Sequence, residues 1–214
     1  MIMIQIVPSI LTNSSEEFEK MMHLIEPHFS SVHLDIADGV FVPNTTIKGI
    51  DELEKTRTPL KMAVHLMVWE PENTLETWLN TGVETLIFHI ESTGKMDELI
   101  IKTREKGKRV GIAINPDTSS EAVGPFVNKI DFVHFMTVNP GFYGSEFKEE
   151  VLGKIKDFSQ QYPDIEIWVD GGIDLTTAKK VVESGADVLI VGSYFFKQSQ
   201  DFGEALENMK KVVS

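Results

Sequence analysis

The 214-residue chain contains no cysteine, which removes a disulfide framework, thiolate metal sites and a cysteine nucleophile together. It has no apolar run close to the roughly 18 residues that span a bilayer. Its opening Met1-Ile2-Met3-Ile4 has neither a basic flank nor a long apolar core. A soluble, unsecreted, cytoplasmic protein with no membrane partner is therefore expected. Positive charge is scarce: 20 Lys+Arg stand against 33 Asp+Glu, a formal charge of −13, which argues against nucleic acid or an anionic surface as partner. No Pro/Gly/Ser-rich linker, sequence repeat or run of like charge divides the chain. With 42% apolar residues, residues 1–214 are expected to form one domain around one large core.

What is present is an alternation of short β-branched or apolar runs with longer amphipathic stretches. Ile4–Ile10 precedes Ser14–Glu26, Ser31–Ile36 precedes Ile50–Lys55, and Leu60–Met67 precedes Pro71–Asn80. The pattern continues with Thr85–His89 and Met96–Lys106, Arg109–Ile114 and Ser119–Val127, and Phe132–Val138 and Glu146–Gln161. It closes with Glu166–Val169 and Thr176–Ser184, then Val188–Val191 and Phe202–Val213. Such alternation implies parallel pairing through right-handed crossovers. Eight units in 214 residues predict an α/β fold, a (β/α)8 TIM barrel. A doubly wound open sheet is the alternative, but the first turn, Pro8-Ser9-Ile10-Leu11, lacks the Gly-rich fingerprint of that fold.

In a barrel, polar residues at the C-terminal ends of strands serve chemistry, and apolar residues further back serve packing. The strand ends supply Ser9, then His33 and Asp35, then His65, then His89 and Glu91, and later Asn115, Asn139 and Asp170. His33 and Asp35 are two apart, so both side chains point to the same side of their strand. With His65 and Asp170 they give two imidazoles and two carboxylates, a donor set suited to Zn²⁺, Fe²⁺, Mn²⁺ or Co²⁺. A carboxylate ending the buried run Ile165-Glu166-Ile167-Trp168-Val169 needs a charge partner, and a metal supplies one. His89 reads as a core histidine paired with Glu91, His134 as core or helix-facing packing, and His23 and His28 as parts of a solvated helix face.

The last third of the chain carries a phosphate signal. Asn139-Pro140-Gly141-Phe142-Tyr143-Gly144, Gly171-Gly172 and Gly192-Ser193 follow three successive strands. Glycine lets backbone N–H groups approach an anion, and this is the usual phosphate cradle of the fold. No Lys or Arg lies in these turns, so an anion there is expected to be held by amides and helix dipole.

These motifs resemble the ribulose-phosphate 3-epimerase family nearly from end to end. The resemblance rests on Pro8-Ser9-Ile10-Leu11, on His33-Leu34-Asp35 with Asp38-Gly39 and Phe41-Val42-Pro43-Asn44, and on His65-Leu66-Met67-Val68. It continues in Met136-Thr137-Val138-Asn139-Pro140-Gly141-Phe142, in Val169-Asp170-Gly171-Gly172, and in Gly185-Ala186-Asp187 leading to Gly192-Ser193. It implies that His33, Asp35, His65 and Asp170 hold one divalent ion, Zn²⁺ foremost, and that Asp35 and Asp170 are the acid/base pair. It implies that Ser9 and His65 touch substrate, that Gly141, Phe142, Tyr143, Gly144, Gly171, Gly172, Gly192 and Ser193 line the phosphate site, and that copies of the chain assemble into a homo-oligomer. The expected reaction is inversion at C3 of D-ribulose 5-phosphate. Alternatives are the same chemistry on another ketose phosphate, such as D-allulose 6-phosphate, and a non-catalytic sugar-phosphate-binding barrel. The sequence departs from the family pattern at five places. Ala37 stands for a usual methionine, Tyr143 for a glycine, Ser145 for a glutamine and Tyr194 for a small residue, and Lys48 is inserted. Ala37 removes an apolar wall, and Tyr143 adds bulk, with strain if its position requires a positive φ.

Overall fold

The computed structural model describes residues 4–196 and 201–214; Met1 to Met3 of the apolar N-terminal opening fall outside them. Eight parallel strands close on themselves in chain order: β1 (Gln5–Ile10), β2 (Ser31–Ala37), β3 (Lys61–Met67), β4 (Thr85–His89), β5 (Arg109–Ile114), β6 (Phe132–Met136), β7 (Glu166–Asp170) and β8 (Val188–Val191). β8 pairs back onto β1 through Gln5 opposite Val188 and Pro8 opposite Val191. Closure removes both sheet edges, and the TIM barrel expected from the alternation is what forms.

The helices α1 (Ser15–Ile25), α2 (Ile50–Lys55), α3 (Leu75–Leu79), α4 (Met96–Glu105), α5 (Glu150–Gln161), α6 (Ala178–Glu183), α7 (Ser193–Phe196) and α8 (Phe202–Val213) lie between the strands or follow the last of them. None among the described residues is long and apolar enough to cross a membrane. Helix α1 begins where expected: the Ser14 hydroxyl accepts the Glu17 N–H, and Phe18, Met21, Met22 and Ile25 face the core at helical spacing.

Three expected helices differ. Unit five carries only a 3-10 segment, Ser120–Phe126, because Gly124 and Pro125 weaken and then deny the helical hydrogen-bond ladder. Pro71–Asn80 splits into a 3-10 turn at Pro71–Asn73 and α3. The helix expected from Glu146 starts at Glu150. Strand β6 stops at Met136, so Thr137 and Val138 belong to the following loop. A short helix not expected from the sequence, α7, follows β8 directly.

Period-two alternation divides each strand between two environments. Leu34, Val64, Leu86, Ile112, Val133, Val169 and Leu189 face the helices in the main hydrophobic cluster. Val7, Ala63, Ile87, Ala113, Phe132, Trp168, Val188 and Ile190 fill the barrel interior. There Phe132 and Trp168 stack with ring centroids 4.1 Å apart. The Arg109 guanidinium, paired with Glu166, covers both rings. This packed layer fills the barrel interior toward the N-terminal ends of the strands, and the polar inward residues lie beyond it toward the C-terminal mouth.

Candidate active site and metal centre

The same parity that turns Val7 and Ala63 inward also turns the next inward residues toward the mouth. Register places Ser9 opposite His33, Asp35 opposite His65 and Met136 opposite Asp170. Asp35 and Asp170 line a cleft at the mouth. Its wall includes Ser9 and all of the glycine-rich turn residues singled out from sequence: Gly141, Phe142, Tyr143, Gly144, Gly171, Gly172, Gly192 and Ser193. Among the described residues, no Lys or Arg lines it. His33 and His65 lie one layer lower, fully buried.

The sequence reading missed Met67, Met136 and Val138, which also line the cleft. For His134 it left core and helix-facing packing open; the structure buries it in the barrel interior, 3.4 Å from Asp170, and not toward the helices. The signal was available: Phe132, His134 and Met136 alternate along β6, so the parity of one gives the parity of all three.

The polar side chains form one compact cluster. Asp35 Oδ1 lies 2.9 Å from His65 Nδ1 and 3.3 Å from His33 Nε2. Asp170 Oδ2 lies 3.4 Å from His134 Nε2, 3.7 Å from His33 Nε2 and 4.0 Å from His65 Nδ1. His65 Nε2 sits 2.8 Å from His89 Nε2, and His89 Nδ1 sits 3.2 Å from Glu91 Oε2. Glu91 in turn accepts the Asn115 backbone N–H and the Thr118 hydroxyl. His89 is thus the Glu91-paired core histidine expected from sequence, and it also ties the cluster to a half-buried carboxylate. His23 is exposed on α1, as expected.

Burial acts on Asp35, Asp170, His33, His65 and His134, and neighbouring charges oppose it or add to it. Asp35 is held at about 2, because His33 and His65 outweigh the desolvation that alone would raise it. Asp170 is pushed up to about 7 by burial and by the charge of Asp35. Burial lowers His65 to about 4, and it drives His134 down as well, with the neighbouring imidazoles adding to the effect. His33 moves up, because Asp35 and Asp170 overcome its desolvation. Two carboxyl groups at one cleft whose environments push them apart form the usual arrangement of an acid/base pair.

Both ring nitrogens of His33 and both of His134 are buried without a hydrogen-bond partner. Such groups cost about 1–3 kcal/mol each when left unsatisfied. One donor atom from each of His33, His65, His134 and Asp170 lies within 4.8 Å of the others. The cluster therefore fits a divalent cation, which would satisfy the orphaned nitrogens and compensate the buried carboxylates.

The loops fit around the bulk of Tyr143. Its hydroxyl donates to the Ser9 carbonyl at 2.7 Å and accepts the Leu11 N–H at 2.9 Å. Its ring occupies the space that Gly192 leaves open: a Cβ on Gly192 would fall 2.5 Å from Tyr143 Cε1. Tyr143 carries no backbone strain, since the positive φ angles of this loop fall on Gly141 and Gly144. Ser145 donates to the Phe142 carbonyl within the same loop. Tyr194 is buried with its hydroxyl directed at the Ala205 carbonyl of α8, away from the cleft, and Lys48 is exposed. Ala37 packs with Val42 and Met67. Of the five departures, Ala37, Tyr143 and Ser145 are therefore the ones set at or beside the mouth.

Comparison with known proteins agrees with this geometry. The fold is similar to 3-hexulose-6-phosphate synthase from Salmonella typhimurium, with a TM-score of 0.71 at 15% identity over 98% of both chains. It is also similar to orotidine 5'-monophosphate decarboxylase from Sulfolobus solfataricus, with a TM-score of 0.65 at 12% identity over 98% of this chain and 97% of that one. At these identities the likeness concerns the fold alone. Sequence relatives are closer. The ribulose-phosphate 3-epimerase of Schizosaccharomyces pombe is 34% identical over 100% of this chain and 95% of its own length. That of Bacillus subtilis is 35% identical over 92% and 94%. The model of the Ribulose-phosphate 3 epimerase family matches residues 5–196, nearly the whole barrel, and the chain is an epimerase-type isomerase belonging to that family.

Proposed function

We propose that this protein is a metal-dependent epimerase that inverts C3 of a ketose phosphate, interconverting D-ribulose 5-phosphate and D-xylulose 5-phosphate. The observation that carries the reading is the pair Asp35 and Asp170. They rise from β2 and β7 into one cleft, with orphaned imidazoles beneath and glycine-rich turns beside them. Inversion next to a carbonyl requires a proton to leave one face and another to arrive on the opposite face. Asp35 and Asp170 stand on strands separated by β8 and β1, so a planar enediolate lying between them meets one carboxyl group on each face. The ionised Asp35 is the readier base, and Asp170, held near 7, the readier acid; the roles exchange in the reverse direction. His33, Asp35, His65 and Asp170 would hold the divalent ion, Zn²⁺ foremost, which supplies positive charge for the oxygens that become negative as the proton leaves.

The phosphate belongs at the far wall of the cleft. With no basic side chain in that wall, Gly141, Gly144, Gly171, Gly172, Gly192 and Ser193 offer backbone N–H groups as its donors. Gly171 shows why a side chain is excluded: its φ is +112°, and a Cβ there would meet Val138 Cγ2 at 2.5 Å.

The test is solvent exchange. In D₂O, metal-loaded protein is expected to place deuterium at C3 of ribulose 5-phosphate, and Asp35→Asn and Asp170→Asn should each lose at least roughly a thousandfold in rate. Exchange only with a hexulose 6-phosphate would transfer the activity to that substrate, as the small Ala37 beside the mouth would allow. No exchange with either sugar would leave a binding protein.

A further inference from the structure

His134 is not among the four residues given the ion in the function proposed above, yet its setting is costly. The layer just below it holds Phe132, Trp168, Ile87 and Val188, so an apolar side chain would continue the packing at no electrostatic cost. Instead an imidazole sits there fully buried, with neither nitrogen hydrogen-bonded. It is aimed into the cluster: its Nε2 is 3.4 Å from Asp170 Oδ2, and its ring centroid is 4.7 Å from that of His65 and 5.3 Å from that of His33. Donor atoms bound to a common ion at about 2.1 Å and subtending 90–120° stand roughly 3.0–3.6 Å apart, a range that includes the 3.4 Å between His134 and Asp170.

We infer that His134 is a further ligand of the divalent cation, and that it sets which cation the site prefers. Three imidazoles beside the carboxylates make a nitrogen-rich donor set. Imidazole suits Zn²⁺ and Co²⁺, whereas carboxylate and water suit Mn²⁺. The third nitrogen therefore turns the site toward Zn²⁺ and Co²⁺ and away from Mn²⁺. The inference rests on the metal-site reading above, and the experiment separates the two.

Stripped wild-type protein and His134→Leu are titrated with Zn²⁺, Co²⁺ and Mn²⁺ in competition with a chromophoric chelator. The variant should lose about tenfold to a hundredfold in Zn²⁺ and Co²⁺ affinity and much less for Mn²⁺, and the visible absorption bands of its cobalt form should move. Equal affinities with superimposable cobalt spectra would show that His134 only packs. Wild-type protein that takes up none of the three ions would instead remove the metal reading itself. A second measurement needs no substitution: long-range ¹H–¹⁵N spectra of the six histidine rings, recorded with and without Zn²⁺. Three rings with a displaced nitrogen resonance are expected, and only two would overturn the inference.

Discussion

Removing the charge at Asp170 should stabilise the metal-free protein while destroying its activity. The residue is 8% exposed, and burial together with the Asp35 charge raises its carboxyl from 3.8 to about 7. A folded-state value above the unfolded one means that the native protein binds the extra proton. That stabilisation is complete below pH 3.8 and is lost as the pH rises through about 7. At pH 8 the folded, metal-free chain carries an ionised carboxylate that its surroundings disfavour, at a cost of roughly 4 kcal/mol. Asn keeps the shape and removes the charge. Metal-free Asp170→Asn is therefore expected to be about 2–4 kcal/mol more stable than wild type at pH 8, and the gain should shrink by more than half at pH 5. Urea denaturation of chelator-treated protein reads this directly, as a rise in midpoint of about 1 M at pH 8 with an unchanged slope. Added Zn²⁺ should reverse the order, because only wild type retains the full donor set. A variant no more stable than wild type at pH 8, or a gain that does not depend on pH, would refute the reasoning.

Two further outcomes test the mouth of the barrel. Tyr143→Phe removes the hydroxyl that joins the Ser9 carbonyl and the Leu11 N–H, leaving two backbone groups without it. A loss of about 1–3 kcal/mol in stability is expected, together with a raised KM at little-changed kcat, because the loop it holds is the one proposed to bind the phosphate and not the reacting carbon. Gly171→Ala places a methyl group against Val138 at a positive φ; a drop of several kcal/mol is expected, read as a lowered Tm.

How much of this was legible in the sequence can be judged residue by residue. The strands were legible because apolar runs of four to eight residues alternating with amphipathic stretches admit few folds. Gly124-Pro125 was equally visible in the sequence, and its effect on unit five is local chemistry. Tyr143 was different. Its bulk raised the prospect of strain, and only the three-dimensional packing showed that its ring fills the space over Gly192 while Gly141 and Gly144 take the unusual backbone angles.

The residue order by itself determined the eight units, the positions of Ser9, His33, Asp35, His65 and Asp170 at strand ends, and the glycine-rich turns, because periodicity and turn chemistry are local properties of a chain. Tertiary structure alone decided that β8 closes onto β1, that His134 Nε2 comes within 3.4 Å of Asp170 Oδ2, and that the pKa values of Asp35 and Asp170 are driven apart. Those outcomes depend on burial and on groups distant in sequence, and neither is defined until the barrel has closed around them.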